Sequence, residues 1–183
     1  MVEASSELTL FGTYEHDPVG FAEKEMCVSL NPGAKCLLRS LMKTGRMGLS
    51  GRYWLRSDVR ILEIVVAVWR LVTRPLDDVL VALPNQRQWG IWLSDASRVI
   101  AHARPQLTRE LLMTKLGIMH KGIGFGKVWC FLGVEGVDVP EPRGESSTLI
   151  VSGMDDASLD TMKQGCAKFA LPRLMVATTY RAP

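Results

Sequence analysis

The run ILEIVVAVWRLV, residues 61–72, is the longest apolar stretch of the chain, and it has to be buried. Glu63 and Arg70 interrupt it, and it falls well short of the ~20 apolar residues that a bilayer-spanning helix needs. A protein core is therefore its destination. At a helical period Ile61, Ile64, Val65, Val68 and Val72 share one face, Ser57 or Asp58 caps the start, and Pro75 marks the end. Its β-branched content suits a central strand as well, so both readings stay open.

The segments around this run predict a mixture of helices and strands. EMCVSL (25–30) reads as a short strand ended by the turn Asn31-Pro32-Gly33. A helix follows from Ala34 to Lys43, with Leu37, Leu38 and Leu41 on one face and Lys35, Arg39 and Lys43 on another; Gly45 stops it. GRYWL (51–55) reads as a strand. DVLVAL (78–83) and WGIWL (89–93) flank the polar stretch 84–88 and read as a hairpin. Ser94 or Asp95 caps a short helix that Pro105 closes. A second helical run spans Gln106 to His120, with Leu107, Leu111, Leu112, Leu116 and Met119 as candidate core. KVWCFLGV (127–134) is a strand and DVPEPRGESS (138–147) a polar loop. TLIVSG (148–153) is a strand leading into a helix over 158–170, and LMVATTY (174–180) adds an edge strand.

Helices and strands alternate here without the regular βαβ rhythm of a parallel sheet. The expected class is α+β, a mainly antiparallel sheet with helices packed on it, in a single domain. Residues 1–24, broken by Gly12, Pro18 and Gly20, form an irregular acidic N-terminal segment ahead of a globular domain, 25–183.

Charge is distributed in blocks. Glu3, Glu7, Glu15, Asp17, Glu23 and Glu25 face only Lys24 in the first block. Lys35, Arg39, Lys43, Arg46, Arg52, Arg56 and Arg60 face only Asp58 in the second. Between 133 and 160 the sign flips again, with Glu135, Asp138, Glu141, Glu145, Asp155, Asp156 and Asp160 against Arg143. Solvated cations on the outside of a helix are commonplace. Here they continue past the helix and interleave with Met42, Met47, Leu49, Tyr53 and Trp54, a composition suited to nucleic acid or to an anionic membrane surface. Opposite blocks on one body also attract its own copies.

Chemistry is hard to find. KGIGFGK (121–127) has neither the spacing of G-x-x-x-x-G-K-[ST], since Val128 follows Lys127, nor that of a dinucleotide fingerprint. Asp155-Asp156, between a strand and a helix, reads as capping, and Asp77-Asp78 reads the same way. Cys27, Cys36, Cys130 and Cys166 are scattered among apolar neighbours and read as reduced thiols; no spacing joins them to His16, His102 or His120 in a zinc site. No catalytic constellation, metal or cofactor is expected, so the chain is expected not to be an enzyme. The N-terminus lacks a signal peptide's basic and apolar regions, which predicts residence in the cytosol.

Two segments carry a resemblance. MGLSGRYWLRSDVRILEIVVAV (47–68) and TLIVSGMDDASLDTMKQGCAKF (148–169) resemble, in the same order, segments of rhabdovirus matrix proteins: a strand with Gly and Met followed by basic and apolar residues, then an alternating strand leading into Asp-Asp-x-Ser-Leu. The resemblance spans about a quarter of the chain. It implies a matrix-like domain over 25–183 that self-associates, condenses a viral nucleocapsid, and bridges it to the inner face of an anionic host membrane during budding. It places the protein in the virion and the host cytoplasm, attached to membranes peripherally. The chain departs from the family's animal-virus members: its N-terminus is acidic where theirs is lysine-rich, and it has no P-P-x-Y. In this picture the basic patch Lys35, Arg39, Lys43, Arg46, Arg52, Arg56 and Arg60 binds nucleocapsid or lipid headgroups. Asp155, Asp156, Trp89 and Trp92 are candidates for self-association. RNA is a further partner, and a small viral RNA-binding regulator or silencing suppressor is the alternative function.

Overall fold

The computed structural model describes residues 10–50, 56–121, 126–132, 148–154 and 174–179. A 3-10 turn, Gly12–Tyr14, leads into α1 (Pro18–Lys24) and α2 (Pro32–Thr44). Then come β1 (Arg46–Ser50), α3 (Arg56–Thr73), β2 (Val79–Leu83), α4 (Gln86–Ala101) and α5 (Pro105–Glu110). Five strands complete the order: β3 (Leu111–Thr114), β4 (Gly117–His120), β5 (Lys127–Leu132), β6 (Thr148–Met154) and β7 (Leu174–Thr179).

All the strands join one sheet in the order β1-β7-β6-β2-β5-β4-β3. Helices and strands thus share one body, as an α+β reading requires, but the sheet is mixed. β1, β7, β6, β2 and β5 pair in parallel, and only the β5-β4-β3 end is antiparallel. The expected mainly antiparallel sheet is therefore confined to one edge. Parallel pairing forces long crossovers, and α3 supplies the one from β1 to β2, past β7 and β6.

The 61–72 run resolves as a helix. From Leu62 to Thr73 every residue of α3 is buried, polar ones included. A helix that is apolar all round has no solvent face, and α3 accordingly packs on the sheet strands β2, β5 and β6 on one side and on α1 and α4 on others. α2 is stopped at Gly45 as expected and begins at Asn31, whose side chain accepts from the Ala34 amide at 2.8 Å with Pro32 in the first turn.

Five expectations are corrected. Residues 25–30 are not a strand, and the 10–24 stretch holds the 3-10 turn and α1, with Phe11, Val19 and Phe21 in the core. WGIWL lies inside α4, because Trp89, Trp92, Ala96 and Ile100 recur at helical spacing and the Asn85 side chain caps the helix through the Gln88 amide. The run 106–120 is a helix only to Glu110. Thr114 then accepts from the amides of Leu116 and Gly117, and the chain turns back as the β3-β4 hairpin. β7 is an interior strand between β1 and β6 rather than an edge. GRYWL and the helix expected over 158–170 lie outside the described residues.

Candidate functional site

Because β1, β7, β6 and β2 are parallel, their carboxyl ends open on a single edge of the sheet. Ser50, the last residue of β1, is in register with Thr179 of β7, and Thr179 is in register with Met154, the last residue of β6. With strands ~4.8 Å apart, the exits of β1 and β6 stand about 10 Å apart on one row. A bulge at Gly153, with φ 68°, bends β6 as it leaves the sheet. In open sheets of this kind, ligands bind beyond the carboxyl ends of the strands.

After Ser50 the chain runs through 51–55 into α3, an 18-residue helix beginning at Arg56. Such a helix presents unpaired amides and a partial positive charge at its start, which suits a phosphate. Ser57 is exposed in its first turn. After Met154 the next residues in the chain are Asp155 and Asp156. In sequence, SGRYWLRS, 50–57, runs from the last residue of β1 into the first turn of α3. Against G-x-x-x-x-G-K-[ST], Ser57 matches, Arg56 stands for the lysine, and Ser50 and Leu55 stand for the glycines. Sequence reading did not single out 50–57, because both glycines and the lysine of that pattern are absent. The usable signal was positional: a short strand, five residues, then an apolar helix.

Just behind this edge sits a buried polar tie. Glu63 of α3 is 0% exposed. Its Oε2 accepts from Ser152 Oγ of β6 at 2.9 Å and from Trp92 Nε1 of α4 at 3.2 Å, and Arg60 Nε lies 3.7 Å away. One carboxylate therefore joins three elements.

The opposite edge is structural. Arg70 Nε donates to Thr148 Oγ1 at 3.2 Å and its guanidinium lies 3.9 Å from Asp77. Asp78 accepts from the Lys127 amide, and its carbonyl accepts from the Thr148 amide, so it binds the starts of β5 and β6 to β2. Asp77-Asp78 is a core tie, not a helix cap. The glycine-rich stretch 121–127 precedes β5 on this edge, where the Gly126 amide donates to the Pro75 carbonyl at 2.7 Å.

The seven basic-patch residues are described unevenly. Arg39, Lys43 and Arg46 are exposed on α2 and the start of β1. Lys35 pairs with Glu23 at 2.7 Å, and Arg60 turns inward to Glu63. Arg52 lies outside the described residues, and of Arg56 only its place at the head of α3 is described. The self-association candidates divide as well. Trp89 and Trp92 are core residues, stacked with centroids 5.5 Å apart, and cannot meet a second copy from there. Asp155 and Asp156 lie outside the described residues. Among the described residues no group of three or more His, Cys, Asp or Glu side chains could hold a metal, and no helix is long and apolar enough to cross a membrane.

No family model and no curated protein matches the chain. Among solved structures it is similar to the HK97 bacteriophage large terminase, with a TM-score of 0.60 and 15% identity over 83% of this chain. The match takes in 33% of the terminase, so the chain spans about a third of that protein's length. At that identity, what the two share is a fold.

Proposed function

We propose that this chain is a nucleotide-binding domain of the phosphate-loop type, taking a nucleoside triphosphate with magnesium at the carboxyl edge of its parallel strands. The observation that carries the reading is the row Ser50, Thr179, Met154. It sets the ends of β1 and β6 on the same edge, two strand spacings apart, and in sequence Arg56 lies six residues beyond Ser50 and Asp155 directly follows Met154. Phosphate-loop enzymes need that juxtaposition: amides and a cation for the phosphates, and a hydroxyl and a carboxylate for the ion. Magnesium requires only one or two carboxylates besides the phosphates, so Ser57 and one acid after β6 are a sufficient donor set. Arg56 in place of lysine changes the contact from a point charge to a planar fork that grips two phosphate oxygens. The test is titration with a fluorescent nucleoside triphosphate. Wild-type protein should bind it, and Arg56→Ala or Asp155→Asn should weaken binding about tenfold or more, the scale of one lost charge-assisted contact. Folded protein that ignores the probe at millimolar concentration overturns the reading.

A second reading retains an assembly role. Arg39, Lys43 and Arg46 are exposed and make no ion pair with a described residue, as a surface for a nucleocapsid, RNA or an acidic membrane would require. Charge reversal of these three, assayed for liposome flotation, RNA binding and self-association, separates it from the first. Unchanged behaviour in every assay removes it.

A further inference from the structure

We infer that β3 is the contact edge of a homodimer: it pairs antiparallel with β3 of a second copy, about a twofold axis at Leu112. β3 and β1 are the outer strands of the sheet. Exposed sheet edges invite pairing, and proteins ordinarily blunt them with charge, proline or a covering element. β1 has such protection, since it opens with exposed Arg46 and α2 packs against it. β3 has none: its sequence is Leu-Leu-Met-Thr, and no described residue pairs with its outer side. One contact tells which of its backbone groups are open. The Lys121 amide donates to the Glu110 carbonyl at 2.7 Å, just outside the β3-β4 ladder. Bonded pairs alternate along an antiparallel ladder, so Leu112 and Thr114 also face β4. Leu111 and Met113 therefore turn their amides and carbonyls outward.

The side chains fit a second copy. Among the described residues, three of the six exposed large apolar side chains lie on this one hairpin: Leu112, Leu116 and Met119, at 45%, 83% and 42% exposure. Leu112 and Met119 are register partners, so they stand side by side on one face. A twofold axis at Leu112 sets it against Leu112 of the second copy. The row then runs from Met119 to Met119, four apolar side chains about 4.8 Å apart. The same register pairs Leu111 with Met113 of the second copy, which joins the open amides and carbonyls of both strands. Charge selects the direction. Glu110 precedes β3 and Lys115 follows it. Lys115 is exposed and makes no ion pair with a described residue. Glu110 has only His120 among them, 3.9 Å away and pushed toward its neutral form by burial. Antiparallel pairing lays each Glu110 beside Lys115 of the second copy, whereas parallel pairing would oppose like charges. Arg109, one residue further back, sits in the last turn of α5 and off the line of the strand.

Sedimentation equilibrium of the full chain tests this, from about 1 μM to about 1 mM, the range suited to so short a contact. Wild type should pass from monomer to dimer. Leu112→Lys sets two cations face to face at the axis and should weaken the dimer about tenfold or more. Glu110→Lys and Lys115→Glu should each weaken it about fivefold, because like charges then meet at both ends of the strand pair. Mixing those two variants should restore wild-type affinity, since each supplies the charge that the other lacks. Thermal melts accompany every variant, and the mixing experiment decides the matter if Leu112→Lys unfolds. A wild-type chain that stays monomeric throughout overturns the inference, whatever else then binds the edge. So does a dimer that Leu112→Lys leaves intact, or one that mixing fails to restore.

Discussion

Adding one methyl group at Gly117 and one at Gly90 should move stability in opposite directions. Gly117 opens β4 with φ at 155°, a backbone conformation that side chains rarely adopt. A Cβ there would lie 1.9 Å from the carbonyl oxygen of Val128, and the gap would have to open to at least 3.0 Å. The obstructing atom is backbone in β5, which is paired on both sides, to β4 and to β2. It cannot yield without straining ladder hydrogen bonds. The dihedral costs ~1–3 kcal/mol and two weakened hydrogen bonds ~0.5–1.5 kcal/mol each, so Gly117→Ala should lose about 3–5 kcal/mol. Gly90 is exposed inside α4, and a Cβ there would meet nothing within 4 Å. Alanine at that position should gain ~0.5–1 kcal/mol from the unfolded chain's reduced freedom. In a chain of this size each kcal/mol moves the melting temperature by about 2–4 °C. Gly117→Ala should then melt about 10 °C lower and Gly90→Ala about 2 °C higher. Denaturant unfolding followed by tryptophan emission supplies the free energies. A Gly117→Ala protein within ~1 kcal/mol of wild type would refute the geometry assigned to the β4-β5 junction.

Two titratable groups extend the test. Burial pushes the His120 imidazole below its ordinary value, partly opposed by Glu110 at 3.9 Å. Its neutral form is the one the fold favours, so the stability it contributes is present above pH ~6.5 and lost as pH falls through the depressed folded value. Melting temperature should therefore drop between pH 7.5 and 5.5 by less in His120→Gln than in wild type; equal slopes would argue against it. Burial pushes the Cys130 thiol up to about 11, whereas Cys27 and Cys36 are exposed. Iodoacetamide at pH 8 should label Cys27 and Cys36 well before Cys130 by mass spectrometry, and the reverse order would contradict the burial.

The legible parts of the fold were those where one signal dominates. Asn31-Pro32-Gly33 and Gly45 bracket α2 within two residues of expectation, and the all-apolar run became the central helix. VLVAL, KVWCFL and TLIVSGM are largely apolar runs and were found as strands. Failures came where two signals compete locally and tertiary context decides. WGIWL is apolar and short, so it passes for a strand until Ala96 and Ile100 extend its spacing to a helix. Leu112, Leu116 and Met119 suggested a helical core face, yet all three are exposed, because Thr114 and Gly117 form a turn that ends the period. Strand direction was not legible at all. The β5-to-β6 connection reads in sequence as a polar loop and the β6-to-β7 connection as a helix over 158–170, and nothing local states that both return the chain to run the same way. The shared carboxyl edge of β1 and β6 depends on that direction, so the sequences that follow the two strands, about a hundred residues apart, read only as a basic stretch and a helix cap.

The same topology shows why a linear charge count was a poor guide to function here. Counted along the chain, Lys35 to Arg60 is one block. In the fold it divides at Ser50, where β1 enters the sheet's edge. Upstream of that point Arg39, Lys43 and Arg46 stand in solvent, where attraction to a polyanion is long-ranged, screened by salt and indifferent to the shape of the partner. Downstream, Arg56 starts a helix and Arg60 is held against a buried acid, where geometry rather than net charge sets what they can bind. The two groups should therefore separate on salt titration. Binding that runs through the α2 face should fall steeply with ionic strength, while binding at the head of α3, assisted by fixed amides and a metal, should fall much less. A single anionic probe whose affinity has one steep slope, abolished by charge reversal at Arg39, Lys43 and Arg46 and untouched by Arg56→Ala, would assign the block's function to its exposed half and leave the carboxyl edge without a ligand.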